Sequence, residues 1–161
     1  MSEVLDLGKV AQARRYESIS GAAEDTIAFG KGVMEGTDGE KQFKAYDGSE
    51  NVVIKGLAMF TNSGNIDDLE FVENQPMRVL RKGVITTQVA AGVGDVSAGD
   101  RVALAGDGWV MKASEAESTT DGSDHAAVLA NAEFVTGGSA GDSVVVEVNF
   151  PMEVTFEDQS A

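Results

Sequence analysis

Ser-Ala-Gly-Asp occurs twice in this chain, and each time it delivers the backbone into a β-forming run. Ser97-Ala98-Gly99-Asp100 leads into Arg101-Val102-Ala103-Leu104, and Ser139-Ala140-Gly141-Asp142 leads into Ser143-Val144-Val145-Val146-Glu147-Val148. Glycine accepts the positive φ that a tight turn often needs, and aspartate bonds the backbone two residues on. A motif made of turn residues concerns construction rather than chemistry. It tilts the reading away from an enzyme.

The rest of the chain repeats that texture. It carries 19 glycines against 2 prolines, so short strands joined by many turns are expected. Strand patterns run over 25–34, broken at Gly30 and Gly32, then 52–60, 77–89, 102–104, 109–113, 128–135 and 143–150. Asp38-Gly39 and Asp47-Gly48 bracket Lys41–Tyr46 as a hairpin signal. The run over 52–60 is nearly continuous in apolar residues, which predicts a central strand. Pro76 bars its own position from a ladder interior. The predicted fold is all-β, a compact sandwich or barrel of jelly-roll type with an extended N-terminal arm. The expected organisation is an arm over 1–24, a β domain over 25–150 and a tail over 151–161. The tail alternates at Met152-Glu153-Val154-Thr155-Phe156-Glu157, so Val154 and Phe156 are expected to dock, with a neighbouring subunit as one candidate surface.

Charge narrows the partners. There are 27 acids against 12 lysines and arginines, a formal net charge of −15. Such a chain repels nucleic acid and anionic membrane unless its bases cluster. Solubility at high protein density explains the acidity; a halophilic origin is the second reading. Cysteine is absent, which removes disulfides and thiolate chemistry. The acidic start, Met1-Ser2-Glu3-Val4-Leu5-Asp6, is unlike a signal peptide, and no apolar run approaches ~18 residues. Synthesis in a cytoplasm is the expectation.

Candidate sites fall away one at a time. Gly30-Lys31-Gly32 lacks the rest of a P-loop, and Gly30, Gly32 and Gly36 are spaced one residue too long for a dinucleotide fingerprint. His125 is the sole histidine, which argues against zinc, and no GxSxG elbow is present. Asp67, Asp68, Glu70 and Glu73 do not have EF-hand spacing and read as a solvated acidic turn. Ser114–Asp124 is polar and acidic and reads as a solvated loop. Trp109 reads as a core or interface residue sooner than as a stacking platform. No catalytic, metal or cofactor site survives. What remains is basic: Arg78, Arg81 and Lys82, with Arg101, hold one third of the basic charge in a short span and suit an acidic protein partner.

With this strand map, the chain resembles the structural cement (head decoration) proteins of tailed bacteriophages. The pattern is ordered. Ala22-Ala23-Glu24-Asp25-Thr26-Ile27-Ala28-Phe29-Gly30 follows an arm, then Gly56-Leu57-Ala58, then Val79-Leu80-Arg81-Lys82-Gly83. Val96-Ser97-Ala98-Gly99-Asp100-Arg101-Val102 comes next, then Ala132-Glu133-Phe134, the second Gly-Asp turn and Val144–Asn149. The resemblance spans about 8–150 and leaves out the tail and the 114–124 loop. It implies a non-catalytic protein on the outer surface of an icosahedral head, clamping neighbouring major capsid subunits of HK97 type without metal or cofactor. The partners implied are the major capsid protein and further copies of the chain, a trimer sooner than a dimer. Arg14, Arg15 and Tyr16, in the arm, are the expected reach onto capsid or sister subunit, and deleting 1–20 is expected to abolish binding while leaving the β domain folded. The competing classes are another virion β protein, of tail or spike, and a carbohydrate- or ligand-binding module using Trp109 and the 114–124 loop.

Overall fold

The structure is a computed structural model that describes residues 7–10, 16–61, 64, 67–116 and 125–158. It is all-β, and of the two expected architectures it is the barrel. Ten strands form one sheet: β1 (Glu17–Ala23), β3 (Gly32–Glu35), β4 (Gln42–Ala45), β5 (Ile54–Met59), β7 (Pro76–Gln88), β8 (Arg101–Leu104), β9 (Val110–Lys112), β10 (His125–Phe134), β11 (Ser143–Asn149) and β12 (Val154–Asp158). A separate ladder pairs β2 (Ile27–Ala28) with β6 (Glu70–Phe71).

The sheet closes twice around β7. The first circuit runs β1–β4–β3–β5–β7 and back to β1. The second runs β7–β11–β10–β8–β9 and returns through a Val89–Val110 bridge. Each circuit has five strands. An odd ring cannot alternate direction all the way round, so each must contain one parallel contact. Those contacts are β1–β4, paired only at Ala22–Gln42 and Ala23–Phe43, and the single Val89–Val110 bridge. The mismatch in direction is confined to the shortest ladders, where parallel pairing costs least.

A small closed barrel is filled by side chains. One buried cluster draws on every strand of the first ring: Ala23, Val33, Phe43, Ala58, Met77 and Val79. Phe29 extends it, edge-on to Phe60 and Phe71 at 5.3 and 4.9 Å, in the geometry aromatic pairs favour. A larger cluster draws on every strand of the second ring, through Ile85, Val146, Leu129, Leu104 and Val110, and continues into Met34, Leu57 and Leu80 of the first. The two rings are therefore one hydrophobic body. Thr87 is fully buried in it, and its hydroxyl donates 2.7 Å to the Gly30 carbonyl.

The turns explain the strand boundaries. In both Ser-Ala-Gly-Asp segments the glycine has positive φ, 91° at Gly99 and 86° at Gly141. In both the aspartate carboxylate accepts 2.9 Å from the serine amide. The hairpin signal is real, joining β3 to β4 through Asp38, whose carbonyl accepts the Gln42 amide at 2.8 Å. Pro76 is tolerated because it opens β7. Val52–Phe60 is central as expected, with β5 paired on both sides.

Two expectations need correction. Asp25–Met34 is not the first strand: β1 precedes it, and the segment splits into β2 and β3 at Gly30 and Lys31. Residues at the start of the chain are also part of the body. Leu7 is buried, the Gly8 amide donates to the Thr86 carbonyl, and Val10 bridges Ile85. Deleting 1–20 would remove these contacts and half of β1, so such a truncation tests stability and not only binding.

Candidate functional site

The midpoint of β7 is where the two rings part, and the chain changes partners there on both sides. Lys82 stands opposite Glu17 of β1 and Asn149 of β11. One residue on, Gly83 has φ 142° and packs under Tyr16, since a Cβ at Gly83 would lie 2.9 Å from the Tyr16 Cβ. Tyr16 is 49% exposed, among the most exposed large hydrophobic side chains described. A tyrosine so held presents a rigid ring and a polar tip to solvent, the residue type enriched where proteins meet.

Beside it lies an open groove of about 440 Å³, lined by Lys82, Gly83, Gly99, Arg101, Asn131, Glu133, Glu147 and Asn149 among others. Cross-strand register builds it. Arg101 of β8 faces Glu133 of β10, which faces Glu147 of β11. Directly opposed carboxylates repel, and Arg101 beside Glu133 offsets this. Two bases, Lys82 and Arg101, balance two acids, Glu133 and Glu147. The groove is thus electrically neutral in a chain of net charge −15. An acidic partner meets no local repulsion there.

The basic residues expected to act together do not share one surface. Arg78 opens onto a different groove, where its guanidinium donates 3.0 Å to Ser18 Oγ near the Lys55–Glu35 ion pair. Arg81 donates 2.9 Å to the Lys55 carbonyl and lies 5.8 Å above the Phe150 ring. Only Lys82 joins Arg101. Arg14 and Arg15 lie outside the described residues. Asn131, Asn149 and the Glu133–Glu147 pair were not singled out from the sequence; only the register of β10 on β11 brings them together.

The tail docks on its own chain. β12 pairs antiparallel with β10, from Leu129–Val154 to His125–Asp158. Val154 and Phe156 pack against the large core cluster, with Phe156 6.3 Å from Tyr46. The Tyr46 hydroxyl lies 2.9 Å from the Ser49 carbonyl and 3.1 Å from that of His125, tying the 46–50 turn to the head of β10. His125 Nε2 is 3.4 Å from Glu50.

The other candidates are accounted for structurally. Trp109 is half-buried between two core clusters, with Lys31 Nζ 5.4 Å over its ring. Of the 114–124 loop, Glu115 accepts the Gly94 amide at 2.9 Å and Ala116 is fully buried; Glu117–Asp124 lie outside the described residues. Among the described residues no group of three or more His, Cys, Asp or Glu is placed to hold a metal ion. None of their helices is long and apolar enough to cross a membrane.

No curated protein matches the sequence. Among solved structures, a chain in the capsid of Myoviridae phage XM1 has the same fold, with a TM-score of 0.67, 19% identity and 89% of each chain covered. The family profile described as structural cement protein (E217 gp24/Pam3 gp6) matches residues 7–149. A match over nearly the whole folded body shows that the chain belongs to the structural cement protein family of phages.

Proposed function

We propose that this protein binds the outer surface of an icosahedral phage head and clamps neighbouring major capsid subunits, without catalysis, metal or cofactor. The observation that carries the reading is the family match over residues 7–149. The chain's charge supports an outer position, because −15 repels packaged DNA. The contact surface we assign is Tyr16 with the neutral groove of Lys82, Arg101, Asn131 and Asn149, an aromatic anchor beside hydrogen-bonding groups. A seam of standard size, ~1,600 Å², supports micromolar to nanomolar affinity. Self-association into a trimer would raise the effective affinity further, since one oligomer touches several capsomers.

The test is co-sedimentation of the purified chain with DNA-filled and empty heads, read by mass. Saturation at a fixed ratio to the major capsid protein is expected, with Tyr16→Ala/Lys82→Glu at least about tenfold weaker while retaining its circular dichroism. Absence of wild-type binding to either kind of head overturns the reading. Wild-type saturation with an unweakened variant moves the contact surface elsewhere.

A further inference from the structure

One strand of the main sheet is paired on a single side among the described residues, and it is β12. Its inner edge is held by β10. The Ala130 amide donates to the Glu153 carbonyl, which turns Glu153 inward. By the alternation of an antiparallel ladder, the peptide groups of Val154, Phe156 and Asp158 then face outward. Five residues at about 3.4 Å each make an edge of roughly 17 Å.

Protein edges of this kind are ordinarily blunted by shortness, by charged side chains and lysine above all, by proline or by a bulge, because an open edge recruits another strand. Acidic charge repels like edges and leaves a basic strand free to pair. The run Val154-Thr155-Phe156-Glu157-Asp158 contains neither lysine nor proline, and its pairing with β10 is unbroken across all five residues. Its charge is wholly acidic, Glu157 and Asp158, with Glu153 just before it. The 46–50 turn beside it adds Asp47 and Glu50, joined through Tyr46 and His125. Two copies of this edge laid together would bring four carboxylates, Glu153 and Glu157 of each, alongside one another, which disfavours self-pairing. The edge accepts a strand and selects for positive charge.

We propose that β12 is a strand-addition site for an extended, lysine- or arginine-bearing segment of the capsid shell protein. Main-chain hydrogen bonds to Val154, Phe156 and Asp158 supply the grip, and Glu153 and Glu157, on the face opposite the core, supply the charge selection. This rests on the capsid-binding reading and names what the chain would hold. It leaves the inward side chains of Val154 and Phe156 in the core, where they already pack.

Two measurements test it, both on the full chain with intact heads. The first compares Glu153→Lys/Glu157→Lys with Glu73→Lys/Asp95→Lys, which makes the same change in net charge at exposed residues away from the edge. At least about tenfold weaker binding is expected of the first variant and less than about twofold of the second. The second places a photo-crosslinking phenylalanine analogue at exposed Thr155 and maps the adduct by mass spectrometry. An adduct on a basic, extended shell segment supports the proposal. An adduct on a second copy of this chain or on an acidic or neutral segment, no adduct on bound wild-type-like protein, or equal loss in both charge variants overturns it. Failure of the wild-type chain to bind heads removes the capsid reading itself, and this inference with it.

Discussion

Val96 and Gly138 donate their amides to each other's carbonyls, at 2.8 and 3.0 Å, and each stands one residue ahead of a Ser-Ala-Gly-Asp turn. Beyond this bridge the two turns are used in swapped fashion. Gly99 donates to Phe134, at the end of β10, and Phe134 donates back to Asp100. Gly141 donates to Val89, just past the end of β7, and Val89 donates back to Asp142. Each turn launches a strand that pairs with the strand preceding the other turn: β8 with β10, and β11 with β7. The repeated tetrapeptide therefore marks two strand–turn–strand units crossed over one another.

Equivalent turns should respond equivalently. Gly99 and Gly141 have positive φ and open space where a Cβ would go, so alanine costs only conformational strain, roughly 1–2 kcal/mol at either site. Asparagine, which tolerates that region, should cost less. Urea unfolding of the four single variants checks this; a large difference between the two alanine variants would show the turns are not energetic equivalents.

Glycines facing occupied space should separate by what occupies it. A Cβ at Gly56 would lie 2.1 Å from the Leu80 carbonyl oxygen, on a residue with φ 151°. Backbone cannot yield as a side chain does, so Gly56→Ala is expected to cost more than about 3 kcal/mol and to accumulate as insoluble protein. A Cβ at Gly32 meets the Leu104 side chain at 2.4 Å, which can change rotamer, and Gly32→Ala should stay soluble with a loss of roughly 1–3 kcal/mol. Thermal melts and soluble yield read both.

Thr87→Val should destabilise although it keeps volume. It leaves the Gly30 carbonyl without the 2.7 Å hydroxyl donor in a fully buried place, a loss of about 1–3 kcal/mol. Thr87→Ser restores the donor and should recover most of this in denaturant titration, apart from the missing methyl.

Glu24 links the β3–β4 hairpin to the end of β1. Its carboxylate accepts the Thr37 amide and hydroxyl, and the amide bond chiefly holds its pKa below the ordinary carboxylate value. A depressed folded pKa means that the carboxylate's stabilisation is present above the unfolded pKa and lost as pH falls through the folded one. The stability gap between wild type and Glu24→Gln should therefore be constant near neutrality and close under acid. A gap that widens as pH falls would refute the assignment.

Signals carried by a few adjacent residues are legible in the sequence, and the pairing partners of distant segments are not. The twin turns, the Asp38 hairpin and the β-branched tail of β7 each depend on a few adjacent residues. Glu17–Ala23 falls in the segment expected to be an arm, with Ile19 its sole large aliphatic residue; it is a strand because β7 and β4 close on it from both sides. Val154 and Phe156 announced a docking strand by alternation, yet nothing in their neighbourhood names β10 as the partner. Arg78 and Lys82 are close in sequence, but β7 changes partners between them, so they open onto different grooves, and Arg81 lies on the other face. The groove that gathers Lys82 with Arg101, Asn131 and Asn149 is a product of register, set by hydrogen bonds between residues far apart in the chain.

β7 runs without a break from the first ring into the second, thirteen residues that serve as a stave in both. A pull that draws the rings apart is therefore carried through the peptide bonds near Lys82 and Gly83, and the rings can part only by shearing β7 out of the ladders of one of them. Neither ring can close while β7 is unpaired, so the two halves gain and lose structure together. If the protein clamps neighbouring shell subunits as proposed, that continuity makes the link between the rings covalent, and leaves the ladders that seat β7 and the contacts at either end as the places to slip.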